Sequence, residues 1–398
     1  MNAVGIDVSK GKSMVAIVQP FGVIVAEPFV VSHNAEELKE LVERLKLLSG
    51  ETKVVMEYTG TYYEPIANAL HNAGIFVSVV NALVIDDYST NRVRKVKTDK
   101  KDAYKIANYA LNNWTQLRKY TPAEDIRKTL KILNRQYIHV NKILVMQKNN
   151  LIALLDSCFP NANTLFSSPR RESDGHEKWV DFVLKFPHRE TVSKLCPSAF
   201  KAKYQSWCKE NHYRFSESKV MEIHTCSRSQ TSSLPFSEST AKLITEPAKL
   251  LNSTLETLAA LRDEMDDLAS QLPEYETVMD LYGVGHVFGA QLIAEIGDVR
   301  RLKSAKSAVA LAGIDPPPNQ SGTNDPKSRS ISKRGSPALR KTLFQVMAVY
   351  IKQRPLDEPV YQFLDKKRAE GKPYRVYMIA AAHKFLRIYY ARVLEAIS

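Results

Sequence analysis

Short apolar runs rich in β-branched residues crowd the first 80 residues of this chain. Residues 3–8, 14–18, 22–25 and 28–32 follow one another at close spacing, and each is typical of a β-strand. The chain therefore opens with several strands rather than with a helical bundle.

The pattern then changes to alternating helices and strands. Asn34 is predicted to cap a helix over 35–48, whose leucines recur at helical spacing. A strand at 53–58, a helix at 62–74 and a strand at 75–80 follow. A strand-rich opening followed by this alternation predicts an α/β sheet with helices packed on it.

Two long helical stretches, 123–157 and 239–272, flank a polar, aromatic insert at 158–238. Their periodic leucines favour an antiparallel hairpin arm, with a plain helical bundle as the alternative. We expect the insert to be a small helical unit at the tip of the arm. From residue 273 to the end the pattern predicts a third, mainly helical region.

The charge of the chain points to a polyanionic partner. It holds 56 basic and 43 acidic residues among 398, a net charge of +13, with an isoelectric point near 9.3. Such an excess suits nucleic acid or an anionic membrane surface. No apolar run reaches the ~18 residues of a membrane span, and the first ten residues lack a signal-peptide layout. The sequence therefore predicts a cytoplasmic protein that binds DNA or RNA and no membrane.

Four carboxylates stand where a metal site would need them. Asp7 lies in the first strand, Glu57 ends the strand at 53–58, and Asp99 and Asp102 begin a helix predicted over 99–111 and capped by Thr98. Oxygen ligands suit Mg²⁺, and two such ions can clamp the attacking and leaving oxygens of a phosphoryl transfer. Taken singly, Asp7 could be a turn residue and Asp99 a favourable charge at a helix N-terminus. Glu57 is harder to explain in this way, because a carboxylate at the end of an apolar strand needs a partner.

Cations are interleaved with these acids. Residues 88–105 hold seven basic and two acidic side chains, a pattern that suits a phosphate backbone as well as an ordinary solvated face. The candidates for nucleic-acid binding here are Arg92, Arg94, Lys95, Lys97, Lys100 and Lys101.

Several serines in the last third are candidate nucleophiles. Ser321 ends the proline-rich segment PPPNQSG, a context that can hold a hydroxyl exposed beside the permissive Gly322. Ser336 precedes Pro337 and a helical run, which predicts a helix N-cap. Ser328, Ser330 and Ser332 alternate with cations. The residues alone do not choose among them.

Two further patterns carry weaker signals. Gly283 and Gly285 form a Gly-Val-Gly turn that resembles a helix-hairpin-helix phosphate site, although such a turn between helices is also ordinary. The cysteines are Cys158, Cys196, Cys208 and Cys226, and with His212 and His224 they match no standard zinc-finger spacing. Free thiols are the favoured interpretation.

Taken together, these residues resemble the DEDD transposases of bacterial insertion sequences, a family that also includes pilin-gene DNA invertases. The resemblance spans essentially the whole chain. Its motifs are GIDVSK (5–10), MEYTG (56–60), KTDKKDA (97–103), the block 282–316, NQSG (319–322) and SKRGSPALRK (332–341).

The resemblance implies three domains. The first is an RNase H-like (RuvC-type) domain over 1–120, whose Asp-Glu-Asp-Asp set maps onto Asp7, Glu57, Asp99 and Asp102 and would hold Mg²⁺. The second is a coiled-coil arm with its insert over 121–272. The third is a transposase domain over 273–398, whose catalytic serine maps onto Ser321.

The family also implies partners. Recombination of donor and target DNA would be guided by a structured bridge RNA, and the protein would work as a dimer or tetramer with active sites built from different protomers. Lys333, Arg334 and Arg340 are candidates to neutralise the phosphate under attack.

Two other functions share some of these sequence features. A RuvC-type Holliday-junction endonuclease would use the carboxylates to activate water, but it gives residues 273–398 no role. An actin-like sugar kinase or ATPase needs glycine-rich phosphate loops, and the chain has neither a GxGxxG motif nor a P-loop.

Overall fold

The computed structural model describes residues 1–82, 84–85, 98–316 and 330–398. The chain divides into two compact units, Met1–Ala123 and Glu124–Ser398. The described residues of the first unit form a β-sheet with helices, and those of the second are helical. This confirms an α/β region followed by an α region. No helix in the described part of the chain is both long enough and apolar enough to cross a bilayer.

Five strands of the first unit form one mixed sheet in the order β3-β2-β1-β4-β5. The strands β1, β2 and β3 are antiparallel neighbours, whereas β1, β4 and β5 run parallel. Helical crossovers join the parallel strands, as parallel pairing requires. The elements are β1 (Asn2–Ser9), β2 (Lys12–Gln19), β3 (Val23–Ser32), α1 (Ala35–Lys46), β4 (Thr52–Glu57), α2 (Glu64–Asn72), β5 (Phe76–Val80) and α3 (Asp99–Asn112).

The prediction of two separate strands at 22–25 and 28–32 was wrong, because a single strand, β3, spans both. β3 lies at the edge of the sheet, where a proline such as Pro28 is tolerated since only one side of the strand is paired. A register shift opposite Ile17 accommodates the irregular segment.

Helices cover both faces of the sheet. On one face, Leu41 of α1 and Ile66 of α2 share a buried cluster with Ile6 of β1. On the other face, Ala107 of α3 packs with Val55 of β4. Alternate residues of each strand therefore face different helices, as the period of two requires.

Helix α3 approaches β1 closely at Gly5. A Cβ atom on Gly5 would overlap the carbonyl oxygen of Ala103 and the amide nitrogen of Ala107. The backbone of the helix therefore rests on the backbone of the strand, a distance that only glycine permits.

The predicted helix starts are confirmed at three places. Asn34, Thr98 and Ser336 each precede a helix, and each side chain accepts a hydrogen bond from the backbone N–H three residues later. These bonds satisfy amides that have no partner inside the helix.

The second unit contains twelve helices within its described residues. They are α4 (Asp125–Cys158), α5 (Lys178–Lys185), α6 (Glu190–Ser193), α7 (Pro197–Glu210), α8 (Glu217–Ser229), α9 (Glu238–Ser270), α10 (Tyr275–Met279), α11 (Gly285–Ile296), α12 (Ala305–Ala312), α13 (Pro337–Gln353), α14 (Pro359–Ala369) and α15 (Tyr374–Ile397).

The long helices α4 and α9 pack against each other along their length. Leu130 near the start of α4 shares a cluster with Met265 near the end of α9. Leu151 near the end of α4 shares another cluster with Ile244 near the start of α9. The two helices are therefore antiparallel. The insert at 158–238 adds Phe182, among other residues, to the second cluster.

Because Gly5 sets the distance between α3 and β1, Gly5→Ala should loosen the docking of α3. Overpacking against backbone atoms costs about 1–3 kcal/mol, and here neither neighbour is a flexible side chain. Amide hydrogen exchange of residues 99–112 should become faster in Gly5→Ala.

Gly22→Ala is the matched control. Gly22 has φ +80°, and an added Cβ would have nothing within 4 Å. Gly22→Ala should therefore lower the free energy of unfolding by about 1–2 kcal/mol through backbone strain alone. Exchange in α3 should then match that of the parent chain. Equal exchange in Gly5→Ala and the parent would contradict the close packing.

Candidate active site

Asp7 and Glu57 lie at the same edge of the sheet. β1 and β4 run parallel with Ile6 opposite Met56, so the next residues, Asp7 and Glu57, follow at the carboxyl ends of neighbouring strands. Both are half-buried. The register thus places two carboxylates, 50 residues apart in sequence, side by side.

Both residues belong to the face that α3 covers. Gly5 and Val55 face α3, and Asp7 and Glu57 come two residues later on the same strands. Since side chains two residues apart point to the same face, both carboxylates are on the α3 side.

The first turn of α3 lies toward this edge. Ala103 and Ala107 lie against Gly5 of β1, and Ala110, later in the helix, shares a buried cluster with Ala3, earlier in the strand. The helix therefore runs opposite to β1, and its N-terminal turn, which carries Asp99 and Asp102, lies toward the carboxyl end of the strand. The fold thus brings all four predicted carboxylates to one end of the sheet.

Their side chains are not gathered into a ligand cage. Within the described residues no three His, Cys, Asp or Glu side chains form a group able to hold a metal ion. The backbone placement and the all-oxygen donor set suit a hard cation such as Mg²⁺. The binding of one ion by these four residues stays a prediction.

The basic residues near this edge are described only in part. Lys100 and Lys101 are exposed in the first turn of α3. Arg92, Arg94, Lys95 and Lys97 lie outside the described residues, and so does Ser321 of the second unit.

In the second unit, Gly283 and Gly285 form the turn between α10 and α11. Both have positive φ, +75° and +57°, which explains why glycine occupies both positions. Gly285 begins α11, so the backbone N–H groups of this first turn have no acceptor within the helix and point out of its N-terminal end.

The two described segments on either side of residues 317–329 are joined by backbone hydrogen bonds. The Ser332 amide donates to the Asp315 carbonyl (2.8 Å), and the Lys333 amide donates to Gly313 (3.0 Å). The Ser332 hydroxyl also donates to the Asp315 carboxylate (2.6 Å). The approach is so close that a Cβ on Gly335 would overlap the Leu311 carbonyl.

Ser336 is held by a buried carboxylate that the sequence analysis missed. Its hydroxyl donates to Glu295 Oε2 (2.7 Å) while accepting from the Leu339 amide at the start of α13. Glu295 is 1% exposed, and Asn134 of α4 donates to its Oε1 (3.0 Å). The signal was an isolated acid inside the apolar run LIAEI, since a buried carboxylate needs donors.

The three predicted phosphate-binding cations lie around Ser336. Lys333 and Arg334 are exposed, and Lys333 has the unusual φ of +56° for a non-glycine residue. Arg340 is half-buried, and its Nη1 donates to the Ala312 carbonyl at the end of α12 (2.9 Å). Arg340 therefore has a structural bond in addition to any phosphate contact.

The four cysteines are free thiols, as favoured from the sequence. Cys208 is buried, and burial raises its pKa. His224 Nε2 donates to the Leu195 carbonyl (2.9 Å), so this nitrogen already has a protein partner.

Two transposase family models match this chain. A DEDD-type IS110 transposase family model matches residues 4–160, and the model for the transposase IS116/IS110/IS902 family matches residues 275–362. Together they cover more than half of the chain and include both regions described above.

Individual relatives agree with these matches. The pilin gene-inverting protein of Moraxella bovis is 24% identical over 85% of this chain and 79% of its own length. The uncharacterized 44.8 kDa protein of insertion element IS116 from Streptomyces clavuligerus is 23% identical over 98% of this chain and 93% of its own.

Among solved structures, T. thermophilus RuvC in complex with a Holliday junction substrate covers 29% of this chain and 96% of its own at 13% identity. Its TM-score of 0.24 is too low to define the fold. The family matches, in contrast, cover both halves of the chain in the expected order. The chain belongs to the IS116/IS110/IS902 family of transposases.

Proposed function

We propose that the protein is an insertion-sequence recombinase that cuts and rejoins DNA through a phosphoserine intermediate at Ser321, with Mg²⁺ bound by Asp7, Glu57, Asp99 and Asp102. The observation that carries the proposal is the placement of these four acids at one end of one sheet. Family membership supports it, because one matched region contains the four acids and the other contains Ser321.

The architecture proposed for this function has three parts. Residues 1–120 form an RNase H-like domain, for which the strand order 3-2-1-4-5 and its mixed directions give support. Residues 121–272 form a coiled-coil arm with the insert, and residues 273–398 form the transposase domain. The antiparallel pairing of α4 and α9 is consistent with such an arm.

In the first domain Asp7, Glu57, Asp99 and Asp102 would hold Mg²⁺. The bound ion would supply positive charge that stabilises negative charge on phosphate oxygens. Thr98 and Gly5 act as positioning residues, because one fixes the start of α3 and the other its distance from β1.

In the transposase domain the Ser321 hydroxyl loses its proton and attacks phosphorus. One bond forms between the serine oxygen and phosphorus, and one phosphodiester P–O bond breaks, which releases a DNA hydroxyl. A second DNA hydroxyl then attacks the phosphoserine and restores the free serine. The number of phosphodiester bonds is unchanged, so no ATP is needed for rejoining.

The proposed partners are donor and target DNA, a structured guide RNA and further copies of the chain. The net charge of +13 supports nucleic-acid partners in general. The guide RNA and the dimeric or tetrameric state follow from the family resemblance.

The alternative function is a RuvC-type Holliday-junction endonuclease. The same placement of Asp7 and Glu57 favours it, since metal-activated water needs the same carboxylates. The two functions differ in their products, because hydrolysis leaves free ends and the recombinase rejoins them.

Ser321→Ala should abolish strand exchange while DNA binding persists, because it removes the attacking oxygen. Denatured reactions on DNA with a suicide nick should show protein joined covalently to one strand end, and this adduct should vanish in Ser321→Ala. The control is Ser336→Ala, which loses a helix cap worth about 0.5–2 kcal/mol and a donor to the buried Glu295, worth roughly 1–3 kcal/mol, but should still form the adduct. Strand exchange by Ser321→Ala would exclude Ser321 as the nucleophile, whereas hydrolysed, unjoined ends from the parent chain would favour the endonuclease.

Glu57→Gln should lower strand cleavage by about 10²-fold or more, because it removes one charged ligand from the reacting phosphate's environment. Calorimetric titration with Mn²⁺ should show a matching loss of metal affinity. Glu40→Gln, an exposed acid on α1, is the control and should keep both properties. Full activity and metal binding in Glu57→Gln would remove Glu57 from the metal site.

Replacing Arg92, Arg94 and Lys95 together with Gln should weaken duplex binding at all sequences. Losing three phosphate contacts should reduce the slope of log affinity against log salt by about 2–3. Fluorescence anisotropy between about 50 and 200 mM salt measures this slope. The exposed insert residues Lys194, Lys203 and Lys209, changed together to Gln, are the control. An equal slope in both triple variants would contradict specific contacts at 92–95.

A further inference from the structure

An open groove of about 1160 Å³ runs along the last helix of the second unit. Its walls come from α12, α14 and α15 and from Asp315 and Pro316, which follow α12. Small apolar residues such as Ala310 and Ala380 line part of it. None of the motifs recognised in the sequence includes the side of α15 that faces this groove.

Three cations line the groove: Lys306 of α12, and Lys384 and Arg387 of α15. Among the described residues, none of the three has a carboxylate within salt-bridge distance. Lys306 and Arg387 are exposed, and Lys384 is half-buried. Three cations without a salt-bridge partner among the described residues outnumber the acid of the lining and form a site for a polyanion.

The groove holds its cations in a defined arrangement. Lys384 Nζ lies over the ring of Phe363, 5.3 Å from the centroid, and Lys367 Nζ lies 5.7 Å from the same centroid. A cation–π contact restrains a lysine without neutralising its charge. Lys384 can therefore still attract an anion from its place in the wall.

Among the described residues that line the groove, the one carboxylate is Asp315, which accepts a hydrogen bond from the Ser332 hydroxyl at 2.6 Å. Nearby, His383 Nε2 donates to the Ile314 carbonyl (2.9 Å). This bond ties α15 to the segment that leads to the serine motif, since Ile314 precedes Ser321 by seven residues. The groove therefore begins close in sequence to the proposed nucleophile.

We propose that this groove binds the phosphodiester backbone of a nucleic-acid strand through Lys306, Lys384 and Arg387. This proposal depends on the proposed function in one respect, because it takes nucleic acid as the partner. The three cations would meet successive phosphates, and the small apolar residues between them would leave room for sugars and bases.

A nucleic acid fits better than a small anion or an apolar peptide. The volume exceeds the 300–1,000 Å³ range of pockets for drug-sized ligands. The cations are spread over two helices, as a repeating backbone charge requires. A peptide that binds through apolar side chains would need a continuous apolar surface in the groove, and the three cations interrupt that surface.

The test uses the full chain and three labelled probes of one sequence: single-stranded DNA, single-stranded RNA and duplex DNA. The variant is Lys306→Gln/Lys384→Gln/Arg387→Gln, and binding is measured by fluorescence anisotropy over a salt series. For at least one probe, affinity should fall about tenfold or more. For a single strand the slope of log affinity against log salt should decrease by about 2. The probe that responds identifies the strand that the groove holds.

The matched control removes exposed cations from the same helix but outside the groove, as Arg375→Gln/Arg392→Gln. It should change affinity for each probe by less than about threefold. Circular dichroism should show the same helix content in both variants, because all five side chains are exposed or half-buried.

Equal binding of all three probes by the groove variant and the control would overturn the proposal. So would a change of oligomeric state in the groove variant, measured by light scattering, without loss of nucleic-acid affinity, since a protein would then be the occupant. Repeating the binding in Ser321→Ala separates this test from the proposed chemistry. If Ser321 were not the nucleophile, the groove would still bind the strand.

Discussion

The contact between the backbones of β1 and α3 at Gly5 determines the geometry of the first unit. Because the helix rests directly on the strand, its direction and position relative to the sheet edge are fixed. The N-cap Thr98 then fixes where α3 begins, and Asp99 and Asp102 follow in its first turn. Parallel pairing of β1 with β4 brings Asp7 and Glu57 to the same edge. The close packing at Gly5 and the register of β1 with β4 thus place residues from three motifs, which are distant in sequence, at the same end of the sheet.

The second unit uses a buried polar group in a comparable way. Glu295 takes hydrogen bonds from Asn134 of α4 and from Ser336 at the start of α13. A buried carboxylate is stable only when donors surround it, so it constrains every element that supplies one. The pairing of Gly313 with Lys333 adds a second restraint. The ends of the segment that contains Ser321 are therefore held by the helical core, beside the cationic groove.

Local patterns were enough to predict most elements and several of their ends. Strand composition, leucine spacing and the caps at Asn34 and Ser336 depend on neighbours in sequence, and the structure confirms them. The predicted break between the strands at 22–25 and 28–32 was wrong. A strand can include Pro28 only where it lies at the edge of a sheet, and the position of β3 in the sheet cannot be read from its local sequence. The role of Glu295 and the groove at Lys384 depend on contacts between distant helices, so no local pattern contained them. The placement of the four acids was expected from the family motifs, whereas the register and Gly5 supply its physical cause.

The central claim is that DNA is rejoined through a covalent phosphoserine and not by direct attack or hydrolysis. The stereochemistry at phosphorus tests it most directly, because each in-line displacement inverts the configuration. A DNA substrate with a phosphorothioate of one configuration at the scissile position would be recombined, and the configuration in the joined product determined. Two displacements, onto serine and then onto the new strand, predict overall retention. Inversion at the new junction, or at a hydrolysed end, would contradict the account.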